Sequence, residues 1–552
     1  MRAWHSVRRF LARGTGLALA VALFVCGRDV SAAGQNRAGT SLAAAAAARG
    51  AQQAAAKPAP PAVRRITLDE AVAMALEANL GIKAERLSPQ IQDFNVAQAH
   101  AAFTPEFYNM ATRTNDEAPP DSFLVGDAPR IVGQAIDNVM GVRQQTPWRG
   151  GRYQVEWNAT RSETTAFTSF NPRLRSTLDF RYVQPLVRGF AIDQPRWQLE
   201  STRSLRDIAD VQLRQSIVAT TRAVRNAYWD LVFTIANLQV SQQALDLARQ
   251  QLKDNRTRVE VGTMASIDIV EAEAEVARNE ESVIVAETAI QRAQDLVRSL
   301  VLSPDQADFW SVSFEPAEAP ALKAQPIDVE AAVRTALESR TDLQTAQKQL
   351  ETTRLDVKYY QNQKLPAVDV NVGYGLVGLG GTQNVYDTTS GGFPPPVIGR
   401  ANRSFNSVLG DIFGTDYANW SVAVSFGYPL GTSQAEAALA SSRLQQTQAE
   451  IGLKNQQMLV ATTVRDQARQ VQTNLKRVEV TQKARELAER RLEAEQKKLA
   501  VGISSTFQVF QAQRDLSFAR NSELRAVIDY NKSLVDFEAV QQAPLGASLA
   551  GR

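Results

Sequence analysis

The fold is decided by two stretches of the same form, RVEVGTMASIDIVEAEAE at residues 258–275 and KLAVGISSTFQVFQAQRDL at residues 498–516. In each stretch a Val-Gly pair separates two mostly polar segments, and the apolar residues of these segments recur at the spacing of a helix. Gly262 and Gly502 suit the left-handed residue that ends a helix, because glycine has no Cβ to clash in that conformation. Each stretch therefore predicts a tight turn that joins two antiparallel helices.

Apolar residues recur at seven-residue spacing before and after both turns. This spacing keeps one apolar seam facing a partner helix and indicates a coiled coil. Residues 194–258 alone would form a helix roughly 95 Å long, and Arg485 interrupts the second series once. The series are Ile217, Val224, Leu231, Leu238, Leu245, Leu252 and Val259; Ile269, Val276, Val283, Ile290 and Val297; Val464, Val471, Val478, Leu492 and Leu499; and Val509, Leu516, Tyr530 and Phe537.

The two halves of the chain correspond to each other, which predicts two internal structural repeats. Residues 66–107 align without gaps with residues 327–368, so that Pro105 matches Pro366. Later in each half the turn glycines match at an offset of 240 positions. The predicted organisation is a signal peptide at 1–32, a low-complexity linker at 33–63, a first repeat at 64–302, a connector at 303–326, a second repeat at 327–540 and a C-terminal tail at 541–552.

Segments in which polar and apolar residues alternate lie between the helical parts of each half. A period of two predicts strands, and the lengths match the roughly 9–11 residues of a tilted membrane strand. The alternative is a soluble β-sandwich that caps the coiled coil. The predicted strands are residues 106–115, 137–145, 153–164, 176–187, 367–376 and 420–430, and the Gly-, Pro- and Asp-rich residues 116–135 and 377–419 are predicted as loops.

Composition excludes several classes of protein. The net charge is only +3, with five arginines in the first thirty residues, so the basic residues do not indicate a nucleic-acid partner. One cysteine, Cys26, and two histidines, His5 and His100, cannot form a Cys/His zinc cluster or a disulfide within one chain. We therefore expect no enzyme, no cofactor and no metal site.

Residues 1–32 have the composition of a secretory signal peptide. Four arginines lie within residues 2–13, an apolar run extends from Gly16 to Cys26, and small residues follow near Ala32. The run has about eleven residues, which is too short for a membrane-spanning helix of ~20 residues. We therefore expect an exported protein, with twin-arginine export and lipidation of Cys26 as the weaker alternatives.

Seven short motifs give the sequence a resemblance to the TolC-type outer-membrane efflux family over nearly everything after residue 64. Two are the helical turns quoted first. The others are LDEAVAMALEAN (68–79), FTPEF (103–107), VQPLVRG (183–189), KLPAVDVNVGYG (364–375) and FGYPLG (426–431). The resemblance implies an α+β membrane protein, a trimeric transmembrane β-barrel continued by a long α-helical coiled-coil barrel.

The resemblance also implies a function, a location and partners. Such a homotrimer would sit in lipid of the outer membrane of a Gram-negative-type envelope, with its helical domain in the periplasm. It would be the passive channel of a tripartite efflux or type I secretion system, docked to a periplasmic adaptor (membrane fusion) protein and an inner-membrane transporter. Residues 137–164 would add a hairpin to the family's usual two strands per half.

The site residues implied by the resemblance lie at and just after the turns. The adaptor-docking tips would be Val261, Gly262, Thr263, Ser266, Val501, Gly502, Ile503 and Ser504. The pore constriction would include Asp268 and Glu271, with Gln508 and Gln511 where the family more often has carboxylates. The plainer interpretations are that the tips only turn the chain and that the carboxylates are ordinary solvated residues.

Two other functions are compatible with a long coiled coil. One is a periplasmic or envelope scaffold protein without a pore. The other is an adhesin-like surface protein, which is disfavoured because helices and strands alternate in two copies instead of forming a stalk and a head.

Overall fold

The computed structural model describes residues 63–120, 129–319, 326–387, 389, 395–431 and 433–542. All of them belong to one compact unit, Pro61–Arg552. The predicted signal peptide, most of the predicted linker and residues 543–552 lie outside the described residues.

The described chain contains ten helices and nine strands. The helices are α1 Leu68–Ala78, α2 Leu80–Glu85, α3 Leu87–Ala101, α4 Gln194–Glu260, α5 Ile267–Val301, α6 Val329–Ser339, α7 Thr341–Gln363, α8 Phe405–Phe413, α9 Gln434–Ala500 and α10 Thr506–Gln541. The strands are β1 Val63–Ile66, β2 Glu106–Ala118, β3 Ile131–Gln145, β4 Arg152–Thr164, β5 Phe170–Pro185, β6 Ser313–Pro316, β7 Ala367–Tyr386, β8 Val397–Arg403 and β9 Ala418–Gly427.

Two long helical hairpins, α4–α5 and α9–α10, follow the strands of each half. Helices α4 and α9 each contain 67 residues, which corresponds to about 100 Å. Every residue of the four predicted heptad series is buried or half-buried, so the predicted seams are confirmed. At the interruption, Arg485 stays half-buried because its guanidinium pairs with Glu523 at 2.5 Å and Glu489 at 2.9 Å.

The helices pack side by side in a similar order near the sheet and near the turns. Next to the sheet, α4 packs between α3 and α7, and α9 packs on the other side of α7. Nearer the turns, α4 packs between α5 and α10, and α9 packs on the other side of α10. Helices α3 and α5 therefore form one flank of the chain, and α9 forms the other.

Seven antiparallel strands form one sheet in the order β2-β3-β4-β5-β7, with β8 and β9 both pairing with the far edge of β7. The extra hairpin predicted for residues 137–164 is present as β3 and β4. The small parallel pair β1-β6 packs separately against α4, where the Tyr228 hydroxyl donates to the Ile66 carbonyl oxygen at 3.3 Å. None of the helices within the described ranges combines the length and apolarity needed to cross a membrane.

The prediction of a loop over residues 377–419 is wrong. Strand β7 continues to Tyr386, and β8 and α8 follow. The glycines that suggested a loop instead let α8 approach the strand, since a Cβ on Gly378 would lie 2.2 Å from the Val408 carbonyl oxygen. The loop predicted over residues 116–135 is also too long, because β2 ends at Ala118 and β3 begins at Ile131.

Candidate functional site

The first predicted tip is a tight C-terminal helix cap. Gly262 has φ +74°, in the left-handed region. Its N–H donates to the Val259 carbonyl at 3.0 Å, and the Thr263 N–H donates to the Arg258 carbonyl at 2.9 Å. These two bonds are the pair that defines a Schellman cap, which satisfies helix-terminal carbonyls and reverses the chain.

The second tip repeats the same geometry. Gly502 has φ +79°, its N–H donates to Leu499 at 3.2 Å, and the Ile503 N–H donates to Lys498 at 3.0 Å. A Cβ on either turn glycine would meet nothing within 4 Å. Glycine is therefore required at these positions by the backbone conformation and not by lack of space.

Both tips expose apolar side chains. Val261, Val501 and Ile503 are 68%, 72% and 74% exposed. Ser266 is also exposed, whereas the Ser504 hydroxyl donates to the Glu495 carboxylate at 2.7 Å. Hydrogen bonds from Lys498 and Ser504 lower the pKa of that carboxyl. A contiguous patch of exposed apolar side chains is typical of a surface that binds another protein.

The predicted constriction residues have different surroundings. The Asp268 carboxylate is half-buried and accepts a hydrogen bond at 3.0 Å from the hydroxyl of Thr506, which belongs to the other hairpin. Glu271 and Gln508 are exposed, and the Gln511 amide donates to Asp515 at 3.0 Å. Of the four residues, only Asp268 has a contact that joins the two hairpins among the described residues.

The seven-stranded sheet has one apolar face and one polar face. The strand register aligns six apolar side chains in a row across six strands on the first face: Phe107, Val142, Val155, Phe180, Tyr374 and Trp420. On each strand, a sequence neighbour of the apolar residue lies on the second face. These neighbours are Tyr108, Gly141, Glu156, Asp179, Gly375 and Asn419. Such alternation suits a sheet with lipid on one side and water on the other.

Hydrogen bonds between side chains of different strands connect the polar face, and two of them cross over Gly141 of β3 to join β2 to β4. The Tyr108 hydroxyl donates to the Glu156 carboxylate at 2.7 Å, and the Gln154 amide donates to both at 2.8 Å. Arg143 makes a bidentate pair with Glu106 at 2.8 and 3.0 Å. This polar network is built from residues of three strands.

A family model described as outer membrane efflux protein matches residues 159–301 and 332–540, well over half of the chain. The chain belongs to this family. The resemblance drawn from the motifs is confirmed, and the prediction that the protein is not an enzyme is confirmed because the family consists of efflux proteins. A search of curated proteins gives no match.

Solved structures of outer-membrane channels share the fold. The outer-membrane channel OprN is 16% identical, with a TM-score of 0.61, over 87% of this chain and 90% of that one. The CmeC outer membrane channel of Campylobacter jejuni is 14% identical, with a TM-score of 0.60, over 86% of this chain and 85% of that one. The open-state MtrE channel of Neisseria gonorrhoeae is 14% identical, with a TM-score of 0.57, over 86% and 88%.

Sequence reasoning missed two features of this efflux protein. Thr506 was not singled out, although it is 2% exposed and contacts Asp268. Three arginines on the polar face, at positions 143, 152 and 181, were also missed, because their convergence depends on the register of three strands. Within the described residues no group of His, Cys, Asp and Glu side chains could hold a metal ion.

Proposed function

We propose that the protein is the outer-membrane channel of a tripartite efflux or type I secretion system. In this proposal three copies close a transmembrane β-barrel and, continuous with it, a coiled-coil barrel in the periplasm of a Gram-negative-type envelope. The channel is a passive duct, and an inner-membrane transporter supplies the energy. The observation that carries the proposal is that each flank of a single chain has an edge strand with an unpaired side and a helix with an exposed apolar stripe.

The sheet ends in two unpaired edges. Within the described residues β2 pairs only with β3 and β9 pairs only with β7. Every residue of β9 is exposed, including the apolar Trp420, Val422 and Val424. In lipid each backbone N–H and C=O needs a partner, so these edges require pairing with further strands.

The helical flanks carry exposed apolar stripes beside those edges. On α3, Leu87, Ile91 and Phe94 are more than half exposed, at the spacing of one helix face. On α9, the exposed residues are Leu444, Ile451 and Met458, seven positions apart. Exposed apolar residues with seven-residue spacing indicate that another helix packs against this face.

The stripes and edges are arranged for head-to-tail closure. Strand β2 follows α3 directly, and β9 leads into α9, so each flank carries one edge strand and one stripe. Pairing β9 of one copy with β2 of the next would also bring α9 against α3. A head-to-tail contact of this kind makes a ring when the rotation that relates successive copies returns to the first copy. The family resemblance implies a ring of three.

The two Schellman turns are then the docking tips for a periplasmic adaptor protein. This role of the turns is supported by their shared backbone geometry and by the exposed side chains of Val261, Val501 and Ile503. The matching 67-residue helices and matching turns likewise support two structural repeats. Asp268 and Glu271 are proposed as the acidic residues of the pore constriction.

Two measurements test this proposal against a scaffold without a pore. The purified protein, in detergent, should form a trimer that conducts ions in planar lipid bilayers. A variant with Phe94→Cys and Leu444→Cys, and with Cys26→Ser, should give a covalent ladder that ends at the trimer when oxidised. The matched control with Phe94→Cys alone should give no ladder.

The outcomes are distinct. A monomer that is soluble without detergent would end the proposal, because no passage would exist. A trimer with no conductance would favour the scaffold function instead.

A further inference from the structure

The polar face of the sheet carries a cluster of unbalanced arginines where the strands meet the helices. Arg143, Arg152 and Arg181 line a cavity of about 490 Å³, and Glu106 is the one acidic residue in its lining. Arg143 is engaged by that carboxylate. Arg152 and Arg181 are exposed and form no ion pair with any described residue.

The strand register explains why these side chains converge. Arg143 is paired with Gln154, and Gln154 with Arg181, so two of the arginines lie in one row across three strands. Arg152 is two positions before Gln154 on the same strand and therefore on the same face. The arginines thus occupy two adjacent rows on one face, about 7 Å apart along the strands, and together form a basic layer.

The layer lies at the junction of the sheet and the helices. The Gln144 amide donates to the Phe103 carbonyl beyond the end of α3 at 2.8 Å, and the Gln145 amide donates to Asp193, the cap of α4, at 3.1 Å. If the apolar face points to lipid, the arginines point into the duct where it passes from strands to helices. A solute leaving the helical tunnel would meet them first.

We propose that this basic layer is an anion-binding site in the duct, which favours cargo bearing a carboxylate or phosphate group. Guanidinium groups bind both anions in a planar, bidentate manner. Rings of Arg or Lys select anions in pores, and a charged passage with low-dielectric walls concentrates the opposite charge. The proposal rests on the proposed function, because it needs the sheet to close around water.

An acidic layer next to the arginines provides an internal comparison. Glu156 and Asp179 lie on the same face, in the row beside that of Gln154 and Arg181 and on the side away from Arg152. The two rows are about 7 Å apart along the strands. That distance is close to the Debye length of ~8 Å at physiological salt, so this layer only partly offsets the arginines. Neutralising the acidic layer should therefore strengthen the preference for anions.

Ion selectivity in planar bilayers tests the proposal with the full-length protein, using KCl gradients. The double variant Arg152→Glu, Arg181→Glu should lower the chloride-to-potassium permeability ratio on the order of tenfold. The matched variant Arg152→Lys, Arg181→Lys keeps both charges and should keep the ratio. Replacement of Glu156 and Asp179 by Gln and Asn should raise it.

The failure of this inference can be told from the failure of the proposed function. If wild-type protein and all variants form no pores, the channel itself is wrong and the inference falls with it. If pores form and the ratio is the same in the Glu and Lys variants, the basic layer does not select anions and the channel stands.

Discussion

Replacing Thr506 by valine should loosen the contact between the two hairpins of each chain. The Thr506 hydroxyl donates to the Asp268 carboxylate at 3.0 Å across 238 positions of sequence. Valine has nearly the same shape but no hydroxyl, so the substitution removes the hydrogen bond and leaves the packing of this 2%-exposed position. The carboxylate loses its partner in the other hairpin.

The size of the effect follows from the charge on the acceptor. A hydrogen bond to a charged group contributes about 1.5–3 kcal/mol, and half-burial of Asp268 places this one near the lower end. About 1.5 kcal/mol corresponds to roughly a tenfold change in an equilibrium constant. If the hairpins close the inner end of the duct, the ratio of open to closed tips should rise by about that factor per chain.

The assay is the open fraction of single channels in planar bilayers. Thr263→Val is the matched control, because the Thr263 hydroxyl donates to Arg258 within its own hairpin and links nothing else. Asp268→Asn should have a smaller effect than Thr506→Val, since the amide oxygen still accepts a hydrogen bond, although a weaker one. An equal rise in Thr506→Val and Thr263→Val, or no rise in either, would refute the reasoning.

Two further predictions concern glycines, each with an internal comparison. Gly502→Ala should lower stability by about 1–2 kcal/mol, because φ is +79° there; Gly452→Ala, in the open middle of α9, should instead raise it by about 1 kcal/mol. Gly378→Ala should cost about 1–3 kcal/mol, since the added Cβ would meet backbone of α8 at 2.2 Å, whereas Gly399→Ala on β8 meets nothing closer than 3.7 Å. Thermal melting of the four detergent-solubilised variants checks both pairs, and equal melting temperatures within either pair would contradict the prediction for that pair.

The helical part of this protein could be predicted from its sequence because its signals are local. A Val-Gly pair between two heptad series specifies a turn and two helices without reference to the rest of the chain. All of the predicted seam residues are buried or half-buried in the structure. The same signal located both docking-tip candidates at Gly262 and Gly502.

The parts that could not be predicted depend on contacts between distant residues. Glycine and proline in residues 377–419 have the composition of a loop, but Gly378 and Gly380 lie in strand β7, where the absence of a Cβ leaves room for Val408 of α8. The basic layer requires the register of β3, β4 and β5, which alternation alone does not give. A one-residue slip would move every side chain to the other face of the sheet.

The contact between Asp268 and Thr506 gives a physical reason for a difference between the two halves. At the offset of 240 that relates the turns, Asp268 corresponds to Gln508, and Thr506 corresponds to Ser266. The matching contact would therefore join Gln508 to Ser266, but both side chains are exposed in the structure. Next to the turns, the described residues thus contain one charge-assisted link between the hairpins, where two identical halves would supply two equivalent pairs of groups. The other links, such as Arg222 to Asp536 at 2.6 Å and Lys532 to Asp230 at 2.7 Å, lie further along the helices. The Asp268–Thr506 link joins the hairpins on one side of the tips, whereas the corresponding pair, Ser266 and Gln508, stays exposed. That exposure is compatible with the proposed role of the tips as a docking surface.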